Sequence, residues 1–63
     1  MNQEARDKVR LHALLKNKRG EAFTATELAQ MTGLSEYRVK AAGESLAASS
    51  LFTFVEGYYM FKS

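Results

Sequence analysis

ATELAQMTGLSEYRVKAAGESL, residues 25–46, decides the fold, because its apolar spacing and turn chemistry read as two short helices joined at a glycine. Thr24 stands just before the stretch with Glu27 three positions on, the reciprocal arrangement of a capping box, so a helix is expected to start there. Leu28, Ala29 and Met31 give that helix its apolar stripe. Thr32-Gly33 ends it, since glycine enters the left-handed region without a Cβ clash. Leu34 then drops into the core, Ser35 is placed to cap a second helix, and Glu36 sits in its first turn, where the helix dipole favours an acid.

In the second helix Val39, Ala42, Gly43 and Leu46 share one face at spacings of three and four, which sends Tyr37, Ala41 and Glu44 to the opposite face. Arg38, Lys40 and Ser45 flank that outer face. The small residues Ala29, Ala42 and Gly43 are expected where two helices, crossing steeply over a short turn, bring their backbones close.

Downstream, the helix is expected to run through Ala47-Ala48-Ser49-Ser50, after which the composition shifts to LFTFVEGYYMFKS, aromatic and β-branched around a Glu-Gly pair. That pattern predicts a hairpin. With Glu56-Gly57 as a two-residue loop, Val55 opposes Tyr58, Phe54 opposes Tyr59, Thr53 opposes Met60 and Phe52 opposes Phe61. Phe52, Phe54, Tyr59 and Phe61 then share the face expected to cover the helices, and Thr53, Val55, Tyr58 and Met60 share the other.

Upstream, Gln3 to Lys18 reads as a first helix with Leu11, Leu14 and Leu15 inward. Ala5, Val9 and His12 form a neighbouring stripe, which either widens the buried face or leaves a small apolar patch. His12 is expected to be a half-buried packing residue. Gly20-Glu21 forms a turn, and Ala22-Phe23-Thr24 a short extended piece with Phe23 in the core.

Composition narrows the function. Sixty-three residues allow one domain, spanning residues 1–63 and near the lower limit for a core without staples. The absence of cysteine excludes disulfides and thiolate metal sites, and a single histidine cannot build a metal cluster. No apolar run is long enough to span a bilayer, and the start MNQEARDK lacks a signal-peptide core, so the expected location is the cytoplasm. No phosphate loop, nucleophile elbow or placed pair of carboxylates points to an enzyme, and no cofactor is expected. Net charge is only +2, yet six of the nine Lys and Arg (Arg6, Lys8, Arg10, Lys16, Lys18 and Arg19) lie in the first nineteen residues.

The helix pair resembles the helix-turn-helix family: Ala29 at its small position, Gly33 in the turn, Leu34 after it, and Val39 and Ala42 as inward positions of the recognition helix. With the first helix and the hairpin added, nearly the whole chain resembles the winged helix-turn-helix fold, mainly α with a small β-hairpin wing. The string GLSEYRVK, residues 33–40, looks like the recognition-helix entry of the small enterobacterial fimbrial operon regulators of the PapI and FaeA type. Departures from that family are Ala42 and Gly43, where it tends to carry bulky apolar residues, and Ser50, where it has glycine. The resemblance implies a bacterial transcriptional regulator acting on double-stranded promoter DNA, with the leucine-responsive regulatory protein as a partner.

On this reading the helix beginning at Ser35 enters the major groove with its N-terminal residues nearest the base edges. Arg38 and Lys40 are candidates for guanine or phosphate, Ser35 and Tyr37 for phosphate or base hydrogen bonds, and Ala41 for a thymine methyl. Thr26 and Gln30 are placed to clamp the backbone, and Lys16, Lys18 and Arg19 are candidate backbone contacts that also complement the first helix's dipole. Against a tight reader stand Glu36 and Glu44, unless each accepts from cytosine or pairs with Arg38 or Lys40. A wing that enters the minor groove normally carries Arg or Lys, and this one has Glu56 at its tip and only Lys62 at its end. Its residues Val55, Tyr58 and Met60 look instead like a surface for another protein or a second copy. The alternative function is accordingly a winged-helix protein-interaction module, such as a prophage or plasmid modulator of a host protein, with little DNA contact.

Overall fold

A computed structural model describes residues 2–63. Three helices and a three-stranded antiparallel sheet enclose one core, in the order α1 (Gln3–Asn17), β1 (Ala22–Thr24), α2 (Ala25–Thr32), α3 (Glu36–Ala48), β2 (Phe52–Val55) and β3 (Tyr58–Phe61).

Each helix begins on the cap its sequence offers. Asn2 Oδ1 accepts from the Ala5 N–H at 2.8 Å to start α1. At α2 the capping box is complete: Thr24 Oγ1 accepts from the Glu27 N–H at 3.2 Å, and the Glu27 carboxylate accepts from the Thr24 N–H at 2.8 Å. Ser35 Oγ caps α3 by accepting from the Arg38 N–H at 3.2 Å. Gly33, at φ +79°, ends α2 and donates its N–H to the Ala29 carbonyl. Thr32 does more than terminate that helix. Its buried hydroxyl donates to the Leu28 carbonyl at 2.7 Å and accepts from the Leu34 N–H at 3.2 Å, so the turn into α3 is held from inside.

Helix α3 stops at Ala48 rather than running on to Ser50. There the Ser50 N–H bonds the Ala47 carbonyl and the Leu51 N–H reaches back to the Leu46 carbonyl. This is the two-bond Schellman closure, which needs a left-handed residue at Ser50, and Ser50 has φ +62°. A β-hairpin follows in the expected register, with Glu56 and Gly57 both at positive φ in its turn.

Strand β1 adds to the other side of β3 through Phe23↔Tyr59, giving the order β1-β3-β2. Phe23, Phe52, Tyr59 and Phe61 thus lie on the sheet face turned to the helices, where Phe52 and Tyr59 are buried with Leu11, Leu15, Leu28, Val39, Ala42 and Leu46. His12 packs under this face, its ring 5.6 Å from that of Phe61 and 6.3 Å from that of Phe52.

Three packing expectations need correction. Phe54 has the parity of the inward face but is 50 % exposed, and it packs on the Tyr59 ring at 4.4 Å. Met31 stands in solvent, because Ala25, Leu28 and Thr32 form the buried stripe of α2. Gly43 is small for the sheet rather than for α2: a Cβ there would lie 2.6 Å from Tyr59 Cε1.

Candidate nucleic-acid interface

Four inward residues of α3, Val39, Ala42, Gly43 and Leu46, are buried and fix the rotation of the helix. Tyr37, Lys40, Ala41 and Glu44 therefore stand in solvent. Tyr37 is 81 % exposed in the first turn of the helix, so it packs against no core element. Ser35 is exposed, but its hydroxyl is engaged as the cap of α3. On α2, Thr26 and Gln30 lie four residues apart and both are exposed, on the stripe opposite Leu28.

Arg38 has a different setting from the free side chain its sequence position suggests. Its guanidinium meets Asp7 of α1, thirty-one residues away, with Nη2 donating to Oδ1 at 2.8 Å and Nε to Oδ2 at 3.0 Å. The Gln3 amide oxygen, in the orientation selected by its neighbours, accepts from Nε at 2.7 Å. Asp7 is nearly enclosed, its side chain 8 % exposed, while that of Arg38 keeps 38 %. Planar two-point pairing of this kind is geometrically specific, and it joins the second turn of α1 to the first turn of α3. The hydrogen bond from Arg38 holds the Asp7 carboxyl below its ordinary range, with burial opposing and the charges of Arg38, Arg6 and Arg10 assisting. The Arg38 guanidinium is correspondingly raised. Glu36 and Glu44, the partners considered for Arg38 from spacing, do not pair with it, and among the described residues Asp7–Arg38 is the only ion pair.

The local balance on α3 is therefore modest. With Arg38 engaged by Asp7, the outer surface offers Lys40 against Glu36 and Glu44. Glu44 also acts inward: burial raises the Tyr59 phenol above its usual value and the Glu44 charge adds to the effect.

The remaining candidates divide between two other surfaces. Lys16, Lys18 and Arg19 are exposed at the C-terminal end of α1 and the turn after it. On the outer sheet face Val55 is 64 % and Tyr58 47 % exposed, while Met60, on the central strand between Ala22 and Thr53, is half-buried.

Sequence reasoning missed the part played by Asp7, Gln3, Arg6 and Arg10. No spacing rule links Asp7 to Arg38, because the pair depends on how α1 lies against α3. Arg6 and Arg10, four apart on α1, were legible as a pair and gain their meaning only from that contact. Among the described residues no pocket and no cluster of potential metal ligands is present, and no helix is long and apolar enough to cross a membrane. No protein-family model, no curated protein and no solved structure matches this chain.

Proposed function

We propose that this chain is a winged helix-turn-helix regulator that binds double-stranded DNA with α3 in the major groove, acting together with a second DNA-binding protein or as a dimer. The observation that carries this reading is the exposed N-terminal half of α3, where Tyr37, Lys40 and Ala41 project from a helix whose opposite face is locked into the core. Support comes also from the left-handed Gly33 turn between α2 and α3 and from the hairpin that follows α3. Tyr37 supplies a hydroxyl for phosphate or base edges, Lys40 a cation, and Ala41 a methyl-sized contact for thymine. Thr26 and Gln30 serve the backbone from α2. The Asp7 and Gln3 contacts make Arg38 chiefly a brace that sets the angle of α3 on α1.

Salt-dependent binding of a labelled random duplex tests this. Affinity should fall along a straight line in log salt, as phosphate neutralisation requires, and Tyr37→Ala with Lys40→Ala should weaken it. No binding by the native chain at low salt would remove the reading. A second reading, docking to a protein, is favoured by the outer sheet face, where Val55 and Tyr58 are exposed and the turn presents Glu56.

A further inference from the structure

We infer that Arg6 and Arg10, beside the junction of α1 and α3, form the principal seat for a DNA backbone phosphate, and that the cations at the other end of α1 are secondary. The inference rests on the duplex-binding reading and names the part of the molecule that supplies the affinity α3 lacks.

Helix geometry provides the first step. Arg6, Arg10, Ala13 and Asn17 follow one another at spacings of four, three and four along a single exposed stripe of α1. That stripe holds no acid. Arg6 is adjacent to Asp7 in sequence, and Arg10 lies one turn further on at i+3. The charges of both act on the carboxylate that Arg38 grips at 2.8 and 3.0 Å. The stripe thus presents two exposed guanidiniums beside a carboxylate already engaged by Arg38, with Glu4 and Glu36 as the acids of the two adjoining first turns. The same bond places this cluster beside the first turn of α3, where Tyr37 stands. Lys16 begins roughly 14 Å further along the axis from Asp7, at 1.5 Å per residue, so the Lys16–Arg19 end lies away from the exposed start of α3.

Phosphodiester fits this surface better than other anions. Two guanidinium forks on one stripe suit the paired oxygens of phosphate. A protein partner would want a large aromatic or apolar anchor between the charges, and this surface offers only Ala13 and, at its border, Val9. A lipid surface would need an apolar helix face, whereas Leu11 and Leu15 of α1 are already spent on the core.

The test compares two charge-matched double variants of the full chain, Arg6→Ala/Arg10→Ala and Lys16→Ala/Lys18→Ala, in duplex binding over a range of salt. All four side chains are on the surface or its margin, and thermal melts check that each variant is folded. The arginine pair should reduce the slope of log affinity against log salt by about 0.9, the value for one phosphate lost, and the lysine pair by clearly less. Equal reductions would mean that only total charge matters and would overturn the inference. An unchanged slope in the arginine variant, with native binding intact, would overturn it while leaving the duplex-binding reading in place. Competition by polyglutamate as strong as by duplex DNA would assign the seat to an acidic protein and overturn it as well. Absence of native binding at low salt would bring down the reading and the inference together.

Discussion

Replacing Gly43 by alanine sets two opposed effects against each other at one atom. In the middle of a helix the change is ordinarily favourable by up to about 1 kcal/mol, because glycine gives up more backbone freedom on folding. Here the new Cβ would stand 2.6 Å from Cε1, 2.9 Å from Cζ and 3.1 Å from Cδ1 of Tyr59. The ring is 2 % exposed and backed by Phe54 at 4.4 Å, so it retreats only by disturbing a second ring. Overpacking of this sort costs about 1–3 kcal/mol, so Gly43→Ala should be destabilising by about 1 kcal/mol net. In a domain this small that is a fall of roughly 4–8 °C in melting temperature.

Removing the opposing ring atoms should reverse the sign. In a Tyr59→Leu background the Cε1 and Cζ positions are vacant, so Gly43→Ala should stabilise by up to about 1 kcal/mol. The implied coupling, about 2 kcal/mol, lies within the range measured for residues in direct contact. Leucine is preferred to alanine at position 59 because a 63-residue domain has only about 3–9 kcal/mol in all. Urea unfolding of the four proteins at one temperature yields the cycle. Stabilisation by Gly43→Ala in the native background, or the same effect in both backgrounds, would refute the steric argument.

Two further perturbations address the ends of α3. Ser50→Gly should stabilise the fold by about 1 kcal/mol, since the native residue sits at φ +62° where a Cβ is strained; a loss of stability in urea would show that the serine side chain makes a compensating contact. Asp7→Asn probes the junction with α1 through pH. The folded carboxyl is held below its unfolded value, so its contribution is present above about pH 4 and is lost as pH falls through the depressed folded value. The urea midpoint of the variant should lie below that of the native chain at neutral pH, and the two should converge in acid; curves that stay parallel from pH 7 to 2 would mean that Asp7 adds nothing by ionisation.

Local signals were legible wherever one or two residues determine the backbone. Thr24 with Glu27, Ser35, Gly33 and the Glu56-Gly57 turn each carry their own reason for a start or a stop, and the structure places elements accordingly. The hairpin register followed from loop length alone. What could not be read was contact across the fold. Phe54 has the right parity for the core yet is half exposed over the Tyr59 ring, which parity alone does not show. Gly43 reads as a helix-crossing residue in a single-sequence pattern, and only the position of Tyr59 on β3 shows which side chain occupies its space. Arg38 illustrates the same limit for the candidate site, since the acids near it in sequence are not the acid it binds.

These contacts also bear on whether DNA binding and protein docking compete. The inner face of the sheet is filled by Phe52, Tyr59 and the ring of His12 against the helices, so its outer face, with Val55 and Tyr58, points away from α1 and α3. A duplex lying along α3 with its phosphates toward Arg6 and Arg10 would approach from the helical side. The two proposed surfaces therefore need not exclude each other. With Arg38 engaged and Glu36 and Glu44 beside it, α3 contributes little charge of its own, so the affinity of a lone chain should come mostly from α1 and be largely indifferent to sequence. Selectivity would then have to come from a second protein or a second copy seated on the sheet, which would bring another set of base contacts to the same site.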